Sequence, residues 1–133
     1  MNGVFLDTVG LLGLWDEDDQ RHRQASEVFD AVEHDEDRPF TTSYVFAECA
    51  NATARWSGRG CVETLVQTLQ ATGGVIFPSD ADWHEAWTRY TTGHAGAPGL
   101  VGELSLVIMR RLGLHRAFTN DAHFRAAGFE VLF

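Results

Sequence analysis

No lysine occurs in this chain; all ten of its basic residues are arginine. That excludes a Schiff-base lysine and the lysine of a phosphate-binding loop. Cysteine is almost as scarce. Cys49 and Cys61 form no C-x-x-C pair, so neither a disulfide framework nor a zinc knuckle is available. Cys49, among Phe46, Ala50 and Thr53, reads as a small buried hydrophobe, and Cys61 as a partly exposed thiol. The six histidines lack zinc-ligand spacing. His22, His84 and His123 read as surface or packing residues. No strained G-x-S-x-G turn is present for serine chemistry, and no glycine-rich phosphate loop follows an apolar run. Uncharged apolar runs are far too short to cross a bilayer, so no membrane span is expected. The opening residues carry no basic stretch before Asp7, so a cytoplasmic protein is expected.

Acid is what the chain has in excess, with a formal net charge of -9. Ten of its 19 acidic residues lie between Asp16 and Asp37, where the only cations are Arg21 and Arg23. That segment carries -8, and the remainder is nearly neutral at -1. Global charge therefore gives no attraction to a polyanion. With 133 residues and 44% hydrophobic content, a single domain over 1–133 with a proper core is expected.

Short apolar runs alternate with helical periodicity. Val4-Phe5-Leu6, Phe40-Thr41-Thr42, Val75-Ile76-Phe77, Arg116 to Thr119 and Phe129 to Phe133 read as strands. Gln20 to Glu33 carries Ala25, Val28, Phe29 and Val32 on one face, the spacing of a helix. Ser43 starts a helix expected to reach Trp56, where Gly58 and Gly60 stop it. Cys61 to Ala71 is the next. Ser79 to Asp82 has the pattern of a capping box before a helix to Thr92. Leu100 to Leu112 is apolar on most sides and reads as a central, buried helix. Strand–helix alternation of this kind specifies an α/β fold, a mainly parallel sheet between helical layers. Ligands of such sheets sit at the carboxyl ends of the strands.

Four carboxylates stand at element junctions. Asp7 closes the first strand and Asp121 the fourth, which puts both on one edge of the sheet. Each is also a natural helix cap. Glu48 borders the buried arc Val45, Cys49 and Thr53. Its neighbours Tyr44, Phe46, Ala47, Ala50 and Ala52 predict a helix with little exposed surface, where an acid needs a partner. Glu103 lies in a first helical turn, where the helix dipole alone accounts for it. Converged, such acids hold a hard divalent cation such as Mg²⁺ or Mn²⁺, which activates water and stabilises a phosphodiester's charge. Dispersed, they are caps and surface charges.

Several segments together resemble the PIN-domain ribonucleases, especially the VapC-type toxins of toxin–antitoxin pairs. Val4-Phe5-Leu6-Asp7-Thr8 is similar to that family's first strand with its metal-binding Asp. Asp19 to Ala25 is similar to its D-x-x-H-x-x-A segment, and Thr42-Ser43 to Glu48 to its T-S-x-x-x-x-E stretch. Thr119-Asn120-Asp121-Ala122-His123-Phe124 resembles its T-x-D-x-x-F ending. Gly102 stands where the family usually has a further Asp, and Glu103 follows it.

The resemblance implies a PIN-like three-layer α/β/α fold and a Mg²⁺- or Mn²⁺-dependent endoribonuclease acting on single-stranded RNA. Asp7, Glu48 and Asp121 would be its catalytic and metal-binding residues, with Glu103 as a fourth acid. Thr8 and Thr119 would hydrogen-bond ligands or substrate, and Asn51 would orient Glu48. A small antitoxin partner and a homodimer are also implied. The alternative is a degenerate PIN fold that binds RNA or a protein without cutting, which Gly102 favours.

Overall fold

The short run Val4-Phe5-Leu6 is fully buried and belongs to β1 (Gly3–Leu6), the middle strand of the sheet. The structure, a computed structural model, describes residues 2–133. From β1 the chain runs through α1 (Thr8–Trp15) and α2 (His22–His34) to β2 (Arg38–Thr42). It continues with α3 (Ser43–Ala52), α4 (Gly58–Thr72), β3 (Val75–Ile76), α5 (Asp80–Thr92) and α6 (Leu100–Leu112). β4 (Arg116–Phe118), α7 (Ala122–Ala126) and β5 (Glu130–Val131) complete it.

The strands lie in the order β3-β2-β1-β4-β5. The sheet, expected to be mainly parallel, is parallel at every pairing. Phe5 pairs with Phe40 on one side and Ala117 on the other. A parallel sheet has to be covered on its faces, and the apolar helix stripes do this. Leu11, Ala25, Val45, Leu69, Ile108 and Met109 join the strand residues in one core. On α2 the stripe is held by Ala25 and Val32, both buried, while Phe29 meets Phe118 edge-on at 5.4 Å.

Local chemistry sets the helix ends. The Thr42 side chain accepts from Val45 N and starts α3. Ser79 and Asp82 form the expected capping box of α5. Asp82 also takes two hydrogen bonds from Arg111 at 3.0 Å, which ties α5 to α6.

The α3–α4 boundary differs from the sequence reading. α3 stops at Ala52 instead of reaching Trp56, and Gly58 opens α4 instead of closing α3. Side chains intercept the backbone here. Thr53 Oγ1 donates to the Cys49 carbonyl and Trp56 Nε1 to that of Ala52, so local bonds compete with continuation of the helix. The Trp56 ring then lies over Gly58, where a Cβ would sit 2.6 Å from it.

Candidate active site

The strand order reverses beside β1, with β2 and β3 to one side and β4 and β5 to the other. Loops leave the sheet in opposite directions at such a point and open a crevice at the carboxyl ends of the strands. Asp7 follows β1 there, and Thr119-Asn120-Asp121 follows β4. A cavity of about 350 Å³ occupies the crevice. Asp7, Thr8, Glu48, Asp121 and His123 line it, and the stretch Pro98 to Gly102 forms the opposite wall. Close packing of α1 brings the two strand ends together. Gly10 faces the Phe118 carbonyl so closely that a Cβ would overlap it.

Each of the three lining carboxylates has one oxygen held by the protein. Asp7 Oδ2 accepts from Thr119 Oγ1 at 2.8 Å. Glu48 Oε1 accepts from Thr8 Oγ1 at 2.6 Å. Asp121 Oδ1 accepts from His123 N at 2.9 Å, capping α7, and lies 3.0 Å from His123 Nδ1. Among the described residues, no group donates a hydrogen bond to the second oxygen of any of the three. Among the described residues, no buried side-chain polar atom lacks a partner, so the second oxygens of Asp7 and Asp121 are reachable by solvent, and Glu48 is an exposed residue.

Asp7 is the most deeply placed, with 6% exposure. Burial pushes its carboxyl up to about 6, and the charge of Asp121 adds to the rise, against the hydrogen bond from Thr119. Repulsion from a neighbouring acid is thus secondary to burial. The N–H groups of Thr8 and Val9 favour the ionised form without closing a cap hydrogen bond to the side chain. Cys49 lies behind the site. Its burial, with the charges of Glu48 and Asp7, pushes the thiol up to about 12, so it stays neutral and unreactive.

Gly102 lines the cavity, whereas Glu103 does not. Glu103 is 9% exposed, and its charge favours protonated His123. Asn51 is exposed, and Thr8 rather than Asn51 holds Glu48. Glu48 is itself exposed, as are Ala47, Ala50 and Ala52; the prediction of a largely covered α3 is therefore corrected. Those small residues form an outward surface of the chain and do not pack inward.

His123 is the residue that sequence reasoning missed. Its Nε2 lies 2.8 Å from the Gly96 carbonyl, so its ring bridges Asp121 and the 93–99 loop. The Gly96 contact, and then the neighbouring acids, raise its pKa against the effect of burial. No local signal marked it, since its contact with Gly96 spans 27 positions. The D-x-x-H-x-x-A segment has a structural role. His22 Nδ1 lies 3.0 Å from the Gly13 carbonyl, and Ala25 packs against Gly13, joining α1 to α2.

A larger cavity of about 720 Å³ lies away from the carboxylates, between the end of α1, α2 and α4. Leu14, Trp15, Phe29, Leu65 and Leu69 make it mostly apolar, with Glu33 at its side. Cys61, a free exposed thiol, also lines it.

Known structures share this arrangement of elements. VapC20 of Mycobacterium tuberculosis, described as a sarcin-ricin loop cleaving toxin, superposes with a TM-score of 0.75 over 95% of both chains, at 21% identity. The chain has the PIN-domain fold. Two further PIN-fold structures agree. FitAB bound to an IR36 DNA fragment gives a TM-score of 0.67 at 15% identity, over 96% of this chain and 92% of that one. FitAcB from Neisseria gonorrhoeae gives 0.61 at 16% identity, over 96% and 95%. No family model matches the chain, and no curated protein matches it.

Proposed function

We propose that this PIN fold is a VapC-type endoribonuclease that cuts single-stranded RNA with the help of Mg²⁺ or Mn²⁺. One observation carries the reading. Asp7, Glu48 and Asp121, from three separate elements, line one cavity, and each leaves one oxygen without a protein donor. An all-oxygen donor set fits a hard cation. Among the described residues, no three acidic, His or Cys side chains stand close enough to ligate one ion together. The three acids would therefore hold it partly through its waters, as Mg²⁺ sites commonly do. Glu103 would contribute negative charge near the site, where it already acts on His123.

The bound ion would supply an activated water and offset charge on the phosphodiester. The chain's own residues orient the acids. Thr119 fixes Asp7, Thr8 fixes Glu48, and the α7 backbone with His123 fixes Asp121. The Gly-rich wall from Pro98 to Gly102 leaves room for a substrate backbone to approach. The test is cleavage of single-stranded RNA with and without chelator, together with calorimetric Mn²⁺ binding. Asp7→Asn, Glu48→Gln and Asp121→Asn should each abolish both. Full cleavage in excess chelator, or by all three variants, would falsify the assignment.

A small antitoxin is the proposed partner. The apolar cavity beside acidic α2 suits a basic amphipathic peptide; that association should weaken as salt is added and on neutralising Asp18, Asp19, Glu27 and Asp30. A homodimer is proposed through the exposed small residues of α3, tested by sedimentation. The second functional reading is a fold that binds RNA or protein without cutting. Gly102 at the cavity wall favours it, and RNA binding with no metal uptake would support it.

A further inference from the structure

We propose that the concavity next to the carboxylate cleft is the subsite for an unpaired nucleotide flanking the cleaved phosphodiester, with Tyr90 as its stacking face. This rests on the ribonuclease reading and extends it to how the substrate is held.

The concavity has a volume of about 440 Å³, within the roughly 300–1,000 Å³ of small-ligand sites. Tyr90, Thr91 and the loop from Gly93 to Gly99 line it. Pro98 and Gly99 belong equally to the wall of the carboxylate cleft. A strand of RNA leaving the cleft over that shared wall enters this concavity next.

Charge singles out the same place. The protein carries -9, and a polynucleotide is repelled from most of its surface. Glu33 lines the apolar cavity by α2 and Glu63 a smaller one by α4. No acidic residue lines the concavity at Tyr90.

The aromatic packing suits a base. Tyr90 is 46% exposed. Behind it stands a row of rings: Trp87 at 5.8 Å, Trp83 stacked on Trp87 at 6.1 Å and 10°, and Tyr44 at 5.8 Å from Trp83. These neighbours restrain the Tyr90 ring before any ligand arrives, which lowers the entropic cost of stacking. Among the described residues, the N–H groups of Ala95 and Gly96 have no acceptor, so the loop offers peptide groups for a base edge. The contact of His123 with the Gly96 carbonyl couples this wall to Asp121, so the subsite and the acids are held in fixed relation.

The probe is a short single-stranded RNA carrying one 2-aminopurine, scanned along its length, bound to the protein in the non-cutting Asp7→Asn background. We expect fluorescence quenching at one nucleotide position only. Tyr90→Ala should abolish that quenching and weaken binding roughly ten-fold or more, the size of one lost base–aromatic stack. Tyr90→Phe should retain both. Phe77→Ala, an exposed aromatic elsewhere on the surface, should change neither. With an otherwise active chain, Tyr90→Ala should raise KM and leave kcat nearly unchanged. RNA that binds and is cut without any dependence on Tyr90 overturns the subsite and leaves the ribonuclease reading intact. A wild-type chain that neither binds nor cuts RNA removes both. Loss of RNA binding that appears only with loss of a dimer in sedimentation assigns the aromatic face to a second copy and overturns the subsite.

Discussion

Replacing Asp7 by Asn should make the metal-free protein more stable at neutral pH, although it removes a residue of the candidate site. The ionised carboxylate is buried, and its pKa rises from 3.8 to about 6. Over that interval the folded protein retains a proton that the unfolded chain has lost. Stability therefore falls as pH rises through roughly 4 to 6. At about 1.4 kcal/mol for each pKa unit, the full penalty is near 3 kcal/mol at pH about 7.5. Asn is neutral throughout and retains an acceptor for Thr119. Urea unfolding in excess chelator, followed by tryptophan fluorescence, should show the variant up to about 3 kcal/mol more stable at pH about 7.5 and equal to the wild type near pH 4. Saturating Mn²⁺ should reverse the order, since only the wild type gains binding energy in the folded state. The reasoning fails if the two proteins differ equally at both pH values, or if the variant is the weaker one in chelator at neutral pH.

Gly102→Asp should raise Mn²⁺ affinity, because Gly102 lines the cavity and a Cβ there meets only Pro98 Cβ at 3.3 Å; unchanged affinity by calorimetry would place that wall outside the metal site. Gly10→Ala should destabilise the fold by about 1–3 kcal/mol, the range for forced overpacking, since its methyl would overlap the Phe118 carbonyl, and denaturant titration reads this directly. Asp82→Asn should cost about 1 kcal/mol through the cap, with less from Arg111 because that guanidinium is half exposed. Burial raises the Asp82 pKa, but the Ser79 and Arg111 hydrogen bonds outweigh it and hold it below 3.8. Its contribution is therefore complete above that pH and lost on acidification below it, and the variant should lack this part of the acid transition.

Asp7 and Asp121 were placed correctly by the sequence because their position follows from topology alone. A residue just past a parallel strand lies at the carboxyl edge whatever its side chain does. The apolar periodicity of α2, α4 and α6 was equally legible, since burial of one face shapes the sequence directly. Contacts between distant segments left no such trace. His123 reaches Gly96 across 27 positions, and nothing in the local pattern distinguishes it from a surface histidine. The exposure of α3 was misjudged because alanines suit a buried seam and a bare surface equally well. Its early end depended on Thr53 and Trp56 bonding the backbone, a competition that propensity does not reveal.

The hydrogen bond from Thr119 to Asp7 joins residues 112 positions apart, and its effect extends to the timing of synthesis. β1 is synthesised well before its neighbour β4, with eight other elements between them in the chain. Until then the first acid has no hydroxyl to orient it and no facing strand to close the crevice. A chain interrupted anywhere before Thr119 lacks Asp121 as well. Assembly of the crevice thus waits until synthesis has passed Asp121, and products that stop earlier lack its third carboxylate. Long-range closure of this kind slows folding, and here the same delay keeps the three carboxylates from gathering around one cavity until β1 and β4 have paired.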